Sequence, residues 1–168
     1  MVDREFPILE FDSTRRAIIE PNEIIKPREV PEHCVVCFFN EVVEKVARAR
    51  NAQVISRQRW EGGEYPLYEI EINGKRIAMI QPGVTAPFGV GLLEEIIPFG
   101  LKKFIACGGA GVLDKNIAVG HIIVPRTAVR DEGTSYHYLP PAREVDASPA
   151  AVAAIECVLT AKKIPYVV

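Results

Sequence analysis

The sequence predicts an α/β sandwich built around a mixed sheet. Three observations carry this. Short apolar strands such as Cys34–Phe39 and Lys103–Cys107 alternate with helical stretches of about 10–15 residues. Asn73-Gly74 sits between two strand-like runs, the signature of a tight antiparallel hairpin. Hydrophobic residues make up 48% of the 168-residue chain, enough to bury a core on both faces of a sheet.

Residues 1–33 carry Pro7, Pro21, Pro27 and Pro31, which predict an extended N-terminal arm with short pieces of structure. Its apolar residues, among them Phe6, Ile8, Ile18 and Ile24, predict that it packs against the rest. Residues 34–168 form the second predicted region. Cys34–Phe39 reads as a buried strand, and Asn40 as the N-cap of a helix to about Arg50. Val54–Arg59 is a short strand. Tyr68–Ile72 and Arg76–Gln81 form the hairpin around Asn73-Gly74. Pro87 opens a helix to about Pro98, with Val90, Leu92, Leu93, Ile96 and Ile97 turned inward. The strand Lys103–Cys107 leads into Gly108-Gly109-Ala110-Gly111, and His121–Val124 is another strand. Ser148-Pro149 starts a helix to about Lys163, with Val152, Ile155, Val158 and Leu159 inward. The sequence stops on Tyr166-Val167-Val168, an apolar strand start. That ending predicts a missing C-terminal part; the alternative is a short edge strand.

Composition narrows the function classes. The formal net charge of -2 gives no reason to expect a nucleic-acid or anionic-membrane partner. No apolar run approaches the roughly 20 residues of a membrane span, and no apolar stretch follows the first residues as in a signal peptide. The expectation is a cytoplasmic protein. Cys34 and Cys37 form a CxxC preceded by His33, which suggests a redox pair or half a zinc site. No second Cys/His pair completes it, and residues three apart in a strand point to opposite faces. The expectation is two buried structural cysteines and no metal.

Ligands of open α/β sheets bind at the carboxyl ends of strands, where glycines allow close approach to backbone N–H groups. Gly108, Gly109 and Ala110 are candidate substrate-binding residues for that reason, as is Gly83 in the loop Gln81-Pro82-Gly83-Val84-Thr85-Ala86-Pro87. A dinucleotide fingerprint needs GxGxxG opening a helix, whereas these glycines lead into a turn and a strand. The polar stretch Arg130–Tyr138 reads equally as a site wall, a subunit contact or a solvated loop. Arg130, Ser135 and His137 are its candidates, and His137 beside Asp131 or Glu132 could do acid–base work.

Together, Pro82-Gly83-Val84, Leu93-Glu94-Glu95-Ile96, Cys107-Gly108, Val119-Gly120 and, most specifically, Val129–Tyr138 resemble the nucleoside phosphorylase family, above all its uridine phosphorylase branch. The resemblance runs from about Gln81 to Pro140. It implies a phosphorylase/hydrolase-like, three-layer sandwich with a mixed central sheet, its C-terminal part missing. It also implies homo-oligomers and a small-molecule nucleoside partner, with phosphate as co-substrate and no other cofactor. The implied reaction is pentosyl transfer, the reversible cleavage of a ribonucleoside N-glycosidic bond. Four places depart from the pattern. Phe38-Phe39-Asn40 and Val42 stand where the family has a Gly-Asp-Pro loop and a phosphate-binding arginine, Ala106 stands for a second arginine, and Gly109 for a hydroxyl residue. The base-binding segment and the ribose-gripping glutamate fall beyond Val168. The resemblance therefore implies a phosphorylase scaffold without its phosphate clamp. It leaves open hydrolysis, or a non-catalytic nucleoside-binding or assembly role.

Overall fold

The computed structural model describes residues 6–168. They form two compact units, Arg15–Gly109 and a second comprising Ala110–Val168 with residues 6–14. Residues 1–5 of the N-terminal arm lie outside the described residues.

The first unit begins with a single helical turn, α1 (Pro21–Ile24), followed by β1 (His33–Cys37) and α2 (Asn40–Ala49). The strands β2 (Gln53–Trp60), β3 (Gly63–Ile72) and β4 (Lys75–Ile80) follow, then α3 (Ala86–Ile96) and β5 (Lys103–Cys107). The five strands make one sheet in the order β2-β3-β4-β1-β5. The β2–β3–β4 meander is antiparallel, while β1 runs parallel to β4 and β5, so the sheet is mixed.

Local chemistry explains these elements. Asn73 and Gly74 have φ of 52° and 73°, the left-handed pair that a two-residue hairpin turn requires. Pro66 is tolerated in β3 because the β3–β4 ladder starts only at Tyr68, leaving an edge at Pro66 where no donor is needed. Thr85 caps α3 by accepting from the Phe88 N–H. Helix α2 differs from expectation. Phe39 holds its cap position, and Asn40 is the first helical residue, its amide donating to Glu44 at 3.0 Å.

The core lies on both faces of the sheet, giving three layers. On one face Cys34, Val36, Leu67, Ala78 and Ile80 pack with Ile96 of α3 and with Phe99 and Leu101. On the other, Cys37 and Met79 pack with Val43 and Ala47 of α2. Cys34 and Cys37 thus point to opposite faces, as strand geometry requires. Leu67, Ile80, Leu92 and Ile96 are fully buried, each contributing about 1.5–3 kcal/mol. Ile97, expected inward, is 45% exposed. The chain tightens there into a 3₁₀ turn, Ile97–Phe99, which turns Pro98 and Phe99 inward instead.

The second unit holds β6 (Ile122–Ile123), β7 (Thr127–Val129), β8 (Glu144–Asp146), α4 (Pro149–Ala161) and β9 (Tyr166–Val167). β6 pairs parallel with β9, and β7 antiparallel with β8. Ser148 caps α4 as expected. Of the residues predicted to face inward from α4, Val152 is buried but Val158 is 52% exposed. The sequence Pro-Ala-Ala-Val-Ala-Ala-Ile-Glu-Cys-Val-Leu is apolar almost all round, so periodicity could not choose a face.

Candidate functional site

Three parallel strands end at one edge of the sheet. Cys37 of β1 lies level with Cys107 of β5, and Val36 level with Ile80 of β4. The loops beginning at Phe38, Gln81 and Gly108 therefore leave the sheet side by side, at the edge where such folds bind ligands. The Phe38 N–H donates to the Cys107 carbonyl at 2.9 Å, stitching two of the loops together.

The candidate glycines are positioned by aromatic rings. A Cβ on Gly108 would lie 3.2 Å from the Phe38 ring, and one on Gly109 3.6 Å from the Phe39 ring. Gly83 is buried with φ +79°, and a Cβ there would come within 2.3 Å of the Phe88 ring. That ring is held by Trp60 (centroids 4.9 Å apart) and, edge-on, by Tyr65 (4.8 Å). Ala110 opens the second unit.

A cleft of 440 Å³ opens at the carboxyl ends of β1 and β4, between α2 and the β2–β3 hairpin. Asn40, Glu44, Arg57, Glu64, Tyr65 and Gln81 contribute to its walls. Gln81 was flagged by its loop; the hairpin residues were not. Their signal was Gly62-Gly63 between Trp60 and Tyr65, a turn dipeptide flanked by strand-forming aromatics. Arg57 and Arg59 both pair with Glu64, at 3.7 and 2.9 Å, in exposed contacts that add little stability. The segments at the strand ends, Phe38–Asn40, 81–85 and 106–109, contain no lysine or arginine. The one ionisable side chain in these segments is that of Cys107 at the end of β5, whose thiol burial and then the neighbouring Cys37 thiol push up to about 11.

The polar stretch of the second unit is built around Arg130, which is 5% exposed. Its guanidinium donates to Ser135 Oγ (3.0 Å) and to the carbonyls of Ser135 (2.9 Å), Leu139 (3.1 Å) and Pro140 (2.7 Å). It also stacks 4.5 Å from the centre of the Tyr136 ring. Ser135 lies in the short 3₁₀ helix Thr134–His137, and its N–H and hydroxyl both donate to the Glu132 carboxylate. His137 is exposed at the end of that helix.

The Ser135 hydroxyl, followed by its backbone N–H, holds the Glu132 carboxyl below its ordinary value of 4.5. A lowered folded-state value means the stabilisation is present above that ordinary value and is lost as pH falls below it. Between about pH 5 and pH 3 the melting temperature of the wild type should fall more steeply than that of Glu132→Gln. Parallel profiles would show that the Glu132–Ser135 contact contributes nothing.

The profile of the Phosphorylase superfamily matches residues 32–168. The chain belongs to the phosphorylase superfamily. Among curated relatives, the uridine phosphorylase of Salmonella typhimurium (strain LT2) is 29% identical over 101 residues, 60% of this chain and 38% of the relative. The guanosine phosphorylase of Halorubrum lacusprofundi is 24% identical over 120 residues, 71% of this chain and 48% of the relative. The crystal structure of uridine phosphorylase from Vibrio fischeri ES114 superposes with a TM-score of 0.74 at 26% identity, covering 92% of this chain and 63% of that one. A purine nucleoside phosphorylase from Toxoplasma gondii in complex with immucillin-H shares the fold, with a TM-score of 0.70 at 20% identity. This phosphorylase-superfamily chain thus spans less than half the length of the two curated relatives. Among the described residues, no helix is long and apolar enough to cross a membrane, and no three His, Cys, Asp or Glu side chains are grouped to hold a metal.

Proposed function

We propose that the protein acts in nucleoside metabolism on the N-glycosidic bond of a ribonucleoside, and does so without phosphate. The nucleoside half of this reading is supported by the phosphorylase-superfamily fold and by the uridine and guanosine phosphorylases among its relatives. The phosphate half rests on one observation, the packing of Phe38 and Phe39 against Gly108 and Gly109 in segments that carry no cation of their own, while Arg57 on the cleft wall is paired with Glu64 at 3.7 Å. A phosphate dianion needs charge-assisted hydrogen bonds, and these loops offer it aromatic rings. Arg130 does not make up the deficit, because its guanidinium is committed to four acceptors within its own loop. With water as nucleophile, displacement at the anomeric carbon passes through an oxocarbenium-like state and needs no anion clamp.

A second reading is favoured by the thiol of Cys107. It is the one ionisable side chain in the three strand-end segments, and at about 11 it stays protonated at neutral pH, a poor general base. On this reading the chain binds a nucleoside, or assembles as a homo-oligomer, without breaking the bond.

Incubation with uridine, inosine and methylthioadenosine, with and without phosphate, separates the two. Base release that phosphate does not accelerate supports the first. Nucleoside binding with no release in either condition supports the second. Release that requires phosphate overturns the phosphate half of the proposal.

Gly108→Val should weaken nucleoside binding by tenfold or more on this reading. The first added carbon already lies 3.2 Å from the Phe38 ring, so two further methyls force the loop away from the edge. Calorimetric titration with uridine or inosine checks it, and unchanged affinity would remove this loop from the site.

A further inference from the structure

The CxxC motif draws attention to Cys34 and Cys37, but the fold gives Cys37 a different neighbour. Cys34 lies on the opposite sheet face, fully buried among Val36, Ala78 and Ile96. Its thiol is pushed up to about 12 by that burial. Cys37 lies directly level with Cys107 on the adjacent parallel strand, so their side chains leave the same face of the sheet. Neighbouring strands are about 4.8 Å apart, inside the roughly 4.4–6.8 Å window of Cα separations that a disulfide spans. The Cys37 thiol donates to the Phe39 carbonyl at 3.9 Å, and its nearness to Cys107 adds to burial in pushing the Cys107 thiol up to about 11. Both are free, Cys37 buried and Cys107 exposed.

We propose that Cys37 and Cys107 form a redox-active dithiol that a hydroperoxide converts to an intrachain disulfide, tying together the ends of β1 and β5. The exposed Cys107 is the peroxidatic thiol, reacting as the thiolate that forms as pH rises toward about 11. Its sulfur attacks the distal peroxide oxygen, giving a sulfenic acid and releasing the alcohol (water, for hydrogen peroxide). The buried Cys37 is the resolving thiol. Its sulfur displaces hydroxide from the Cys107 sulfenic acid; that hydroxide takes up the Cys37 proton and leaves as water. Overall, two thiols and one hydroperoxide give one disulfide, one alcohol and one water. The bond would close immediately before Phe38 and Gly108, the residues through which the β1 and β5 loops touch. This site stands independently of the nucleoside reading.

The test uses the intact chain and hydrogen peroxide at mildly alkaline pH, where a fraction of Cys107 is thiolate, followed by alkylation and peptide mapping. The expected result is a loss of two of the four free thiols, a single Cys37–Cys107 linked peptide, and full recovery with dithiothreitol. Cys34 and Cys157 should remain alkylatable after denaturation. Cys107→Ser should give no intrachain disulfide at any peroxide dose, and Cys37→Ser should drive Cys107 to sulfinic acid. The proposal is overturned if wild-type Cys107 proceeds to sulfinic acid while Cys37 stays a free thiol. It is equally overturned if Cys107 links instead to Cys157 or to a second chain. The wild-type map decides the matter even if either variant fails to fold.

Discussion

Arg130→Met should destabilise the second unit by about 3 kcal/mol or more, the largest effect expected from any single side chain outside the sheet core. Four acceptors depend on one guanidinium: the Ser135 hydroxyl and the carbonyls of Ser135, Leu139 and Pro140. Methionine fills a similar volume but donates nothing, and each hydrogen bond from a charged donor contributes about 1.5–3 kcal/mol. The stacking on Tyr136 goes as well. Arg130→Lys should recover little, since a single ammonium cannot reach acceptors spread around a planar fork. Chemical denaturation measures the loss, and hydrogen exchange should place it in residues 131–142. Because Glu132 and Arg130 both bind Ser135, their substitutions should be non-additive. A Met variant within about 0.5 kcal/mol of wild type would refute the hub role.

Gly83→Ala should cost about 3 kcal/mol, from two separate sources. A φ of +79° strains any residue with a Cβ by about 1–2 kcal/mol. The new carbon would also sit 2.3 Å from Phe88, whose ring is braced by Trp60 and Tyr65. Overpacking of this kind costs about 1–3 kcal/mol. Combining Gly83→Ala with Phe88→Leu relieves the collision but not the backbone strain, so the double variant should recover part of the loss. Recovery to full stability would assign the whole cost to the collision; no recovery would assign it to the backbone. Thermal unfolding of the three variants reads the difference.

Much of this fold was legible because its signals are local. The Asn73-Gly74 turn, the Thr85 and Ser148 caps and the apolar strands each declare themselves within a few residues. The β2–β3 hairpin was only half visible, since Pro66 interrupts what would otherwise read as one long strand. The carboxyl-edge site was legible as three loops, but not as a surface. Nothing in sequence spacing reveals that Phe38 and Phe39 lie against glycines about 70 residues away, or that Cys37 is paired with Cys107 rather than Cys34. Those facts follow from strand order, which periodicity does not encode. The cation-free character of the loops could be read directly, whereas the commitment of Arg130 to its own loop required side-chain geometry.

The position of β1 between β4 and β5 also sets an order of events during folding. The β2–β3–β4 meander closes through short connections, and such hairpins form in about 1–10 μs. β1 must instead find partners about 40 and 70 residues downstream, paying the loop-closure entropy before any contact repays it. Its insertion is therefore the expected late, rate-limiting step, with high φ-values in the meander's far hairpin and a rate sensitive to changes in Val35 and Val36. The loops after β1, β4 and β5 become neighbours only at that step. A nascent chain carries no partial version of the site, and ligand contact is possible only once the sheet is closed.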